Sequence, residues 1–183
     1  SLAKTQIVRQ LRVDELSVTA EIKTPRELEE QKDGEKKEKS VLRRVAVKLT
    51  RQNTAPAFEM EATLHLLSEA LESRQPASVL LVGPPGVGKT AAVRELARMT
   101  GKSVWSTSGA QLIAGQSGFG QWQERCRDLC REASKTKSVL HLGNLVELME
   151  VGQHSANAQS IASFLRPWIA RGELLAIAEC TPE

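Results

Sequence analysis

The chain holds no run approaching the roughly 18 apolar residues of a membrane-spanning helix, and no signal-peptide core follows Ser1. A membrane-embedded function is therefore not expected. Cysteine is scarce: Cys126, Cys130 and Cys180 form an odd set without metal-ligand spacing. That usage fits a reduced, cytoplasmic protein better than a disulfide framework or a zinc site. Cys126 and Cys130 stand four apart on one face of an expected helix, where core packing accounts for them. A strong charge of one sign is also lacking. The formal net charge is +3 and most of the charge is mixed, which argues against nucleic acid as a partner. Internal repeats are absent, and the one biased tract is a charged loop.

Against these absences one segment stands out. Gly83, Pro84, Pro85, Gly86, Val87, Gly88, Lys89 and Thr90 spell a complete G-x-x-x-x-G-K-[ST] loop, with Ala91 continuing into a helical pattern. An apolar run, residues 78–82, precedes it. Strand, loop and helix in that order are the context that makes the motif specific. Glycines let successive backbone N–H groups turn toward phosphate oxygens, and the helix N-terminus adds positive potential. Lys89 is then expected on the β/γ-phosphates, with Thr90 offering its hydroxyl to Mg²⁺. The expected ligand is ATP with Mg²⁺.

The organisation around the loop is that of an α/β domain. Residues 1–52 differ from the rest: residues 16–22 and 45–50 alternate as half-buried strands do, and a Glu/Lys-rich loop lies between them. Residues 53–57 carry turn chemistry and read as a linker. From 58 to 183, Met60, Leu64, Leu67 and Leu71 recur at helical spacing. Residues 103–106 form a short strand pattern. Trp122, Cys126, Leu129, Cys130 and Ala133 mark a helix face, and residues 138–142 an apolar strand. Ala158, Ile161, Ala162, Leu165 and Ile169 mark a further helix containing Pro167, and residues 174–178 a last strand. Strands alternating with helices imply a three-layer sandwich around a parallel sheet.

In these residues the chain resembles an AAA+ module, and among those the first ATPase module of Clp-type unfoldases and disaggregases. The resemblance covers residues 78–183. It rests on the phosphate loop, on Gly109–Gly115, on Gly120–Arg125 and on Phe164–Leu174 with its helical Pro167, all in the family's order. It implies a P-loop NTPase core, a homo-oligomeric (hexameric) ring, and a polypeptide substrate gripped by a pore loop, here Gly118 and Phe119. A helical lid and an arginine finger, which the family places after the sensor strand, are not expected within the chain.

The departures bear on chemistry. The family ends its Walker B strand in Asp-Glu, and this chain has Gly143 and Asn144 there. A carboxamide can hold a water but cannot take its proton, and a general base is worth about 10²–10⁴ in rate. Magnesium is expected to help binding less than usual, having only Thr90 and the phosphates to hold it. At the sensor position Cys180 replaces a threonine, with Thr181 one residue later. Glu179, at the end of the sensor strand, is the candidate for a catalytic carboxylate; Glu147 and Glu150 belong to a following helix. His141 reads as a hydrogen-bonded core histidine, and His65 and His154 as superficial.

The sequence thus points to an ATP-binding module of a Clp-like remodelling machine, with weak or no hydrolysis at its own site. The alternatives are an active ATPase motor using a non-standard carboxylate such as Glu179, and a ring-forming scaffold whose residues 1–52 recruit a partner.

Overall fold

The computed structural model describes residues 40–116, 120–153 and 159–182. The strand expected at 16–22, the charged loop before residue 40, the pore-loop pair Gly118 and Phe119, and His154 and Ala158 lie outside the described residues. All described residues belong to one unit, Lys39–Glu183.

That unit begins with segments that the sequence reading grouped with residues 1–52. Helix α1, Val41–Val45, forms where an alternating strand was expected to start. Ser40 caps it, accepting from the Arg43 N–H at 3.2 Å, and Glu132 accepts from both Ser40 Oγ (2.6 Å) and Leu42 N–H (3.1 Å). Strand β1 is therefore only Val47–Lys48. It stops because Asn53 folds back, accepting from Thr50 N–H at 2.7 Å and donating to the Lys48 carbonyl at 2.7 Å. This turn halts the strand by satisfying the backbone locally.

The remaining elements follow the expected alternation. They are α2 (Glu61–Glu72), β2 (Val79–Val82), α3 (Lys89–Met99), β3 (Val104–Ser106), α4 (Gly109–Ile113), α5 (Gln121–Lys135), β4 (Val139–Asn144), α6 (Leu145–Glu150), α7 (Ile161–Ala170) and β5 (Leu175–Cys180). The sheet order is β1-β3-β4-β5-β2. All neighbours are parallel except β1, which runs antiparallel to β3 as an edge strand. The expected parallel sheet thus carries one antiparallel edge.

The period-2 alternation of strand side chains sorts residues between two helical layers. Trp105, Leu140, Leu142 and Ala176 join a core with α1, α4, α5, α6 and α7. Val104, Val139 and Ile177 point the other way, into a core with Leu64, Leu67 and Leu71 of α2 and Ala92, Val93 and Leu96 of α3. By the same parity Ser106, His141 and Glu179 belong to the α3 face. They are the last side chains of that set on three adjacent strands, and α3 carries the phosphate-loop threonine. Among the described residues no helix is long and apolar enough to cross a membrane.

Cys126 and Cys130 lie wholly inside the first core. Burial pushes both thiols up to about 12; Arg125 partly offsets this for Cys126, and Cys126 itself adds to it for Cys130. Such thiols present almost no thiolate at neutral pH. In a labelling experiment with an aromatic disulfide at pH 8, at most one thiol, that of the half-buried Cys180, reacts with the native chain. All three react in denaturant, and rapid native labelling of Cys126 or Cys130 would contradict this packing.

Candidate functional site

Strand β2 delivers the chain into the phosphate loop at Gly83, whose N–H donates to the Cys180 carbonyl at 3.2 Å. The loop is thereby tied to the end of β5. Gly86 and Gly88 have φ of +77° and +93°, a region that L-residues with a Cβ enter only under strain. These two glycines let the loop curl over the start of α3, where Gly88 stands at the N-cap without a side-chain cap. The first N–H groups of α3 are thus left for a ligand, as at anion-binding helix termini. Lys89 Nζ donates to the carbonyls of Gly83 (2.6 Å) and Pro84 (2.9 Å), which holds its charge over the loop. The expected cofactor-binding residues are therefore gathered in one place, and their donors suit a triphosphate.

Thr90 Oγ1 donates to Glu179 Oε2 at 2.9 Å. Glu179 Oε1 lies 2.7 Å from His141 Nε2, and His141 Nδ1 lies 2.9 Å from Ser106 Oγ. A row of four polar side chains thus crosses the carboxyl ends of β3, β4 and β5 and ends on α3. Its protons can be assigned. A carboxylate only accepts, so Nε2 carries the ring proton, and Nδ1 accepts from the Ser106 hydroxyl. The side chains of His141 and Glu179 are 5% and 12% exposed, so each satisfies the other where water does not readily reach.

His141 is the hydrogen-bonded interior histidine that the sequence suggests, but its partner is the candidate carboxylate itself. Nothing local in the sequence joins the two or marks Ser106 as their neighbour. The available signal was positional: on each of three adjacent strands the last side chain facing α3 is polar.

Gly143 and Asn144, the residues expected at the Walker B positions, serve the backbone and a helix cap. Gly143 adopts φ +67° where the β4–β5 register shifts between His141 and Asn144. Asn144 caps α6, its Oδ1 accepting from Val146 N–H at 2.9 Å, a contact worth about 1 kcal/mol in typical helices. Its amide oxygen is committed to that helix. Glu147 Oε1 accepts from Ala110 N–H at 2.8 Å, at the start of α4 and outside the polar row. Of the sensor pair, Cys180 ends β5 half-buried and Thr181 is exposed. His65 is exposed, as expected.

A family model described as "ATPase family associated with various cellular activities (AAA)" matches residues 79–178. The ClpB chaperone protein of Mycoplasmoides gallisepticum is 31% identical over 161 residues, covering 79% of this chain and 22% of that one. ClpB of Aquifex aeolicus is 31% identical over 158 residues, covering 79% of this chain and 16% of its own length. Among solved structures, the S. cerevisiae Hsp104–ADP complex is similar with a TM-score of 0.63 and 28% identity, over 76% of this chain and 26% of that one. A closed-state reconstruction of Hsp104 with ATPγS and FITC-casein has a TM-score of 0.64 and 26% identity, over 78% and 27%. The chain thus spans about a quarter or less of the length of these relatives.

Burial holds the pKa of His141 below its ordinary value; Glu179 partly offsets this through its hydrogen bond and charge, and Arg94 lowers it further. As pH falls, the unfolded chain takes up the histidine proton near pH 6.5 while the native chain does not. The native state then binds fewer protons, so this contribution to stability is intact above pH 6.5 and declines as pH is lowered through the window beneath it. Urea midpoints taken from pH 7.5 down to 5.5 should fall more steeply for the wild type than for His141→Gln. Parallel declines would show that His141 does not titrate on unfolding.

Proposed function

Because the chain belongs to the AAA family of ATPases, we propose that it is the nucleotide-binding module of a Clp-like protein-remodelling machine, taking ATP together with Mg²⁺. The observation that carries this reading is the phosphate loop: two left-handed glycines, free N–H groups at the head of α3, and Lys89 and Thr90 beside them. Likeness to Hsp104 seen with ATPγS and casein supports a polypeptide substrate. A homo-oligomeric, hexameric ring and a cytoplasmic setting belong to the same reading, as the resemblance implies them. When bound, Mg²⁺ would neutralise phosphate charge, and Thr90 would face it.

Turnover at this site is slow or absent in this reading. The strand that should end in two carboxylates ends in a left-handed glycine and a helix-capping asparagine. A water placed there meets no general base from β4, a deficit of about 10²–10⁴ in rate. Ring assembly gated by ATP, with force supplied elsewhere in the machine, is the role left to such a module.

ATP should stabilise the chain, by about 2.7 kcal/mol at a hundredfold excess over Kd, or roughly 5–11 °C in melting temperature for a domain of this size. Lys89→Ala should abolish the shift. Phosphate release by the wild type should stay near the Lys89→Ala background. An unchanged melting curve at millimolar ATP would overturn the nucleotide reading, and turnover well above that background would overturn the slow-site reading.

A further inference from the structure

We propose that Glu179 is the Mg²⁺-shell carboxylate of this site, moved from β4 to β5, and that His141 and Ser106 position it. The inference rests on the nucleotide reading above and deepens it. A threonine that presents its oxygen lone pairs to Mg²⁺ must send its hydroxyl proton elsewhere, and phosphate-loop enzymes commonly pair that residue with a carboxylate on a neighbouring strand. Here the acceptor is Glu179 Oε2, 2.9 Å from Thr90 Oγ1. The arrangement turns Thr90 outward and sets a hard oxygen ligand beside it.

The other oxygen is fixed by His141 at 2.7 Å, and His141 by Ser106 at 2.9 Å. The carboxylate therefore has one orientation, and each of its oxygens keeps a lone pair beyond the bond it accepts. It is 12% exposed, and among the described residues His141 is the one basic side chain paired with it. A hard divalent cation is the natural complement for such a buried oxygen anion. No cluster of three acidic, histidine or cysteine side chains capable of holding a metal exists among the described residues, so the cation has to arrive with the nucleotide's phosphates.

One carboxylate takes over one of the two missing roles. Glu179 orders the metal shell, while the water-polarising position holds no acid: it is Asn144, whose amide oxygen caps α6. The site then binds nucleotide in a Mg²⁺-dependent way and still turns over slowly. The weak magnesium effect expected from Gly143 and Asn144 alone is replaced by a strong one.

The test titrates a fluorescent ATP analogue with the wild type and Glu179→Gln, in EDTA and across a Mg²⁺ series. Mg²⁺ should tighten binding to the wild type. Glu179→Gln should raise the Mg²⁺ concentration needed for that tightening about 10–100-fold, the usual cost of losing a group at a metal site, with affinity in EDTA unchanged. His141→Leu should weaken Mg²⁺ dependence, and His141→Gln, which keeps a donor for Glu179, should restore it. An unaltered Mg²⁺ requirement in Glu179→Gln overturns the proposal. Absence of analogue binding to the wild type in both EDTA and Mg²⁺ overturns the nucleotide reading, and this proposal with it. Should Glu179→Gln fail to fold, Fe²⁺ can replace Mg²⁺ on the wild-type chain with the nucleotide bound, and ascorbate and hydrogen peroxide added. Backbone cleavage next to both Thr90 and Glu179 supports the assignment, and cleavage that spares β5 refutes it.

Discussion

Glu179 answers two donors at once, the half-buried hydroxyl of Thr90 on α3 and the buried ring N–H of His141 on β4, and the geometry of the whole carboxyl edge of the sheet hangs on that double acceptance. Without it His141 would keep an unpaired N–H in the interior, at about 1–3 kcal/mol, and Thr90 would lose the acceptor that sets its rotamer. With it, a helix and three strands are locked in one relative position at the place where the phosphate loop begins. Gly83 adds a backbone tie to Cys180 from the same strand end. The loop is thus braced from β5 by side chain and by main chain.

That brace is possible because parallel strands in register deliver equivalent residues to the same height. His141 stands opposite Ser106 on one side and Ile177 on the other, and Glu179 follows two residues after Ile177, on the same face. Apolar residues lower on that face, Val104, Val139 and Ile177, pack on α2 and α3. The polar row is the continuation of this core layer to the edge of the sheet. A shift of one residue in any strand would send its member of the row to the opposite helical layer.

The α/β alternation, the phosphate loop and most helix faces were legible in the sequence because each is written in local periodicity or in a contiguous motif. Leu64, Leu67 and Leu71 are all buried where the helical spacing places them. What escaped depended on partners far along the chain. Val45 looked like a strand residue, and became helical because Glu132, ninety positions from Leu42, caps α1 from α5. Glu179 and His141 stand out singly in the sequence and Ser106 does not, and only the strand order brings the three together. Asn144 shows the same limit: its residue type suggested a water-holding amide, whereas the helix that follows takes its side chain as a cap.

The left-handed turn at Gly143 limits what the end of β4 can accommodate. An aspartate placed there would enter a backbone region that favours glycine, φ +67°, while a glutamate at position 144 would forfeit the cap of α6. Neither carboxylate can be introduced without a local cost to the fold. An acid at this edge of the sheet is more readily accommodated on β5, where Glu179 already stands with both its oxygens engaged.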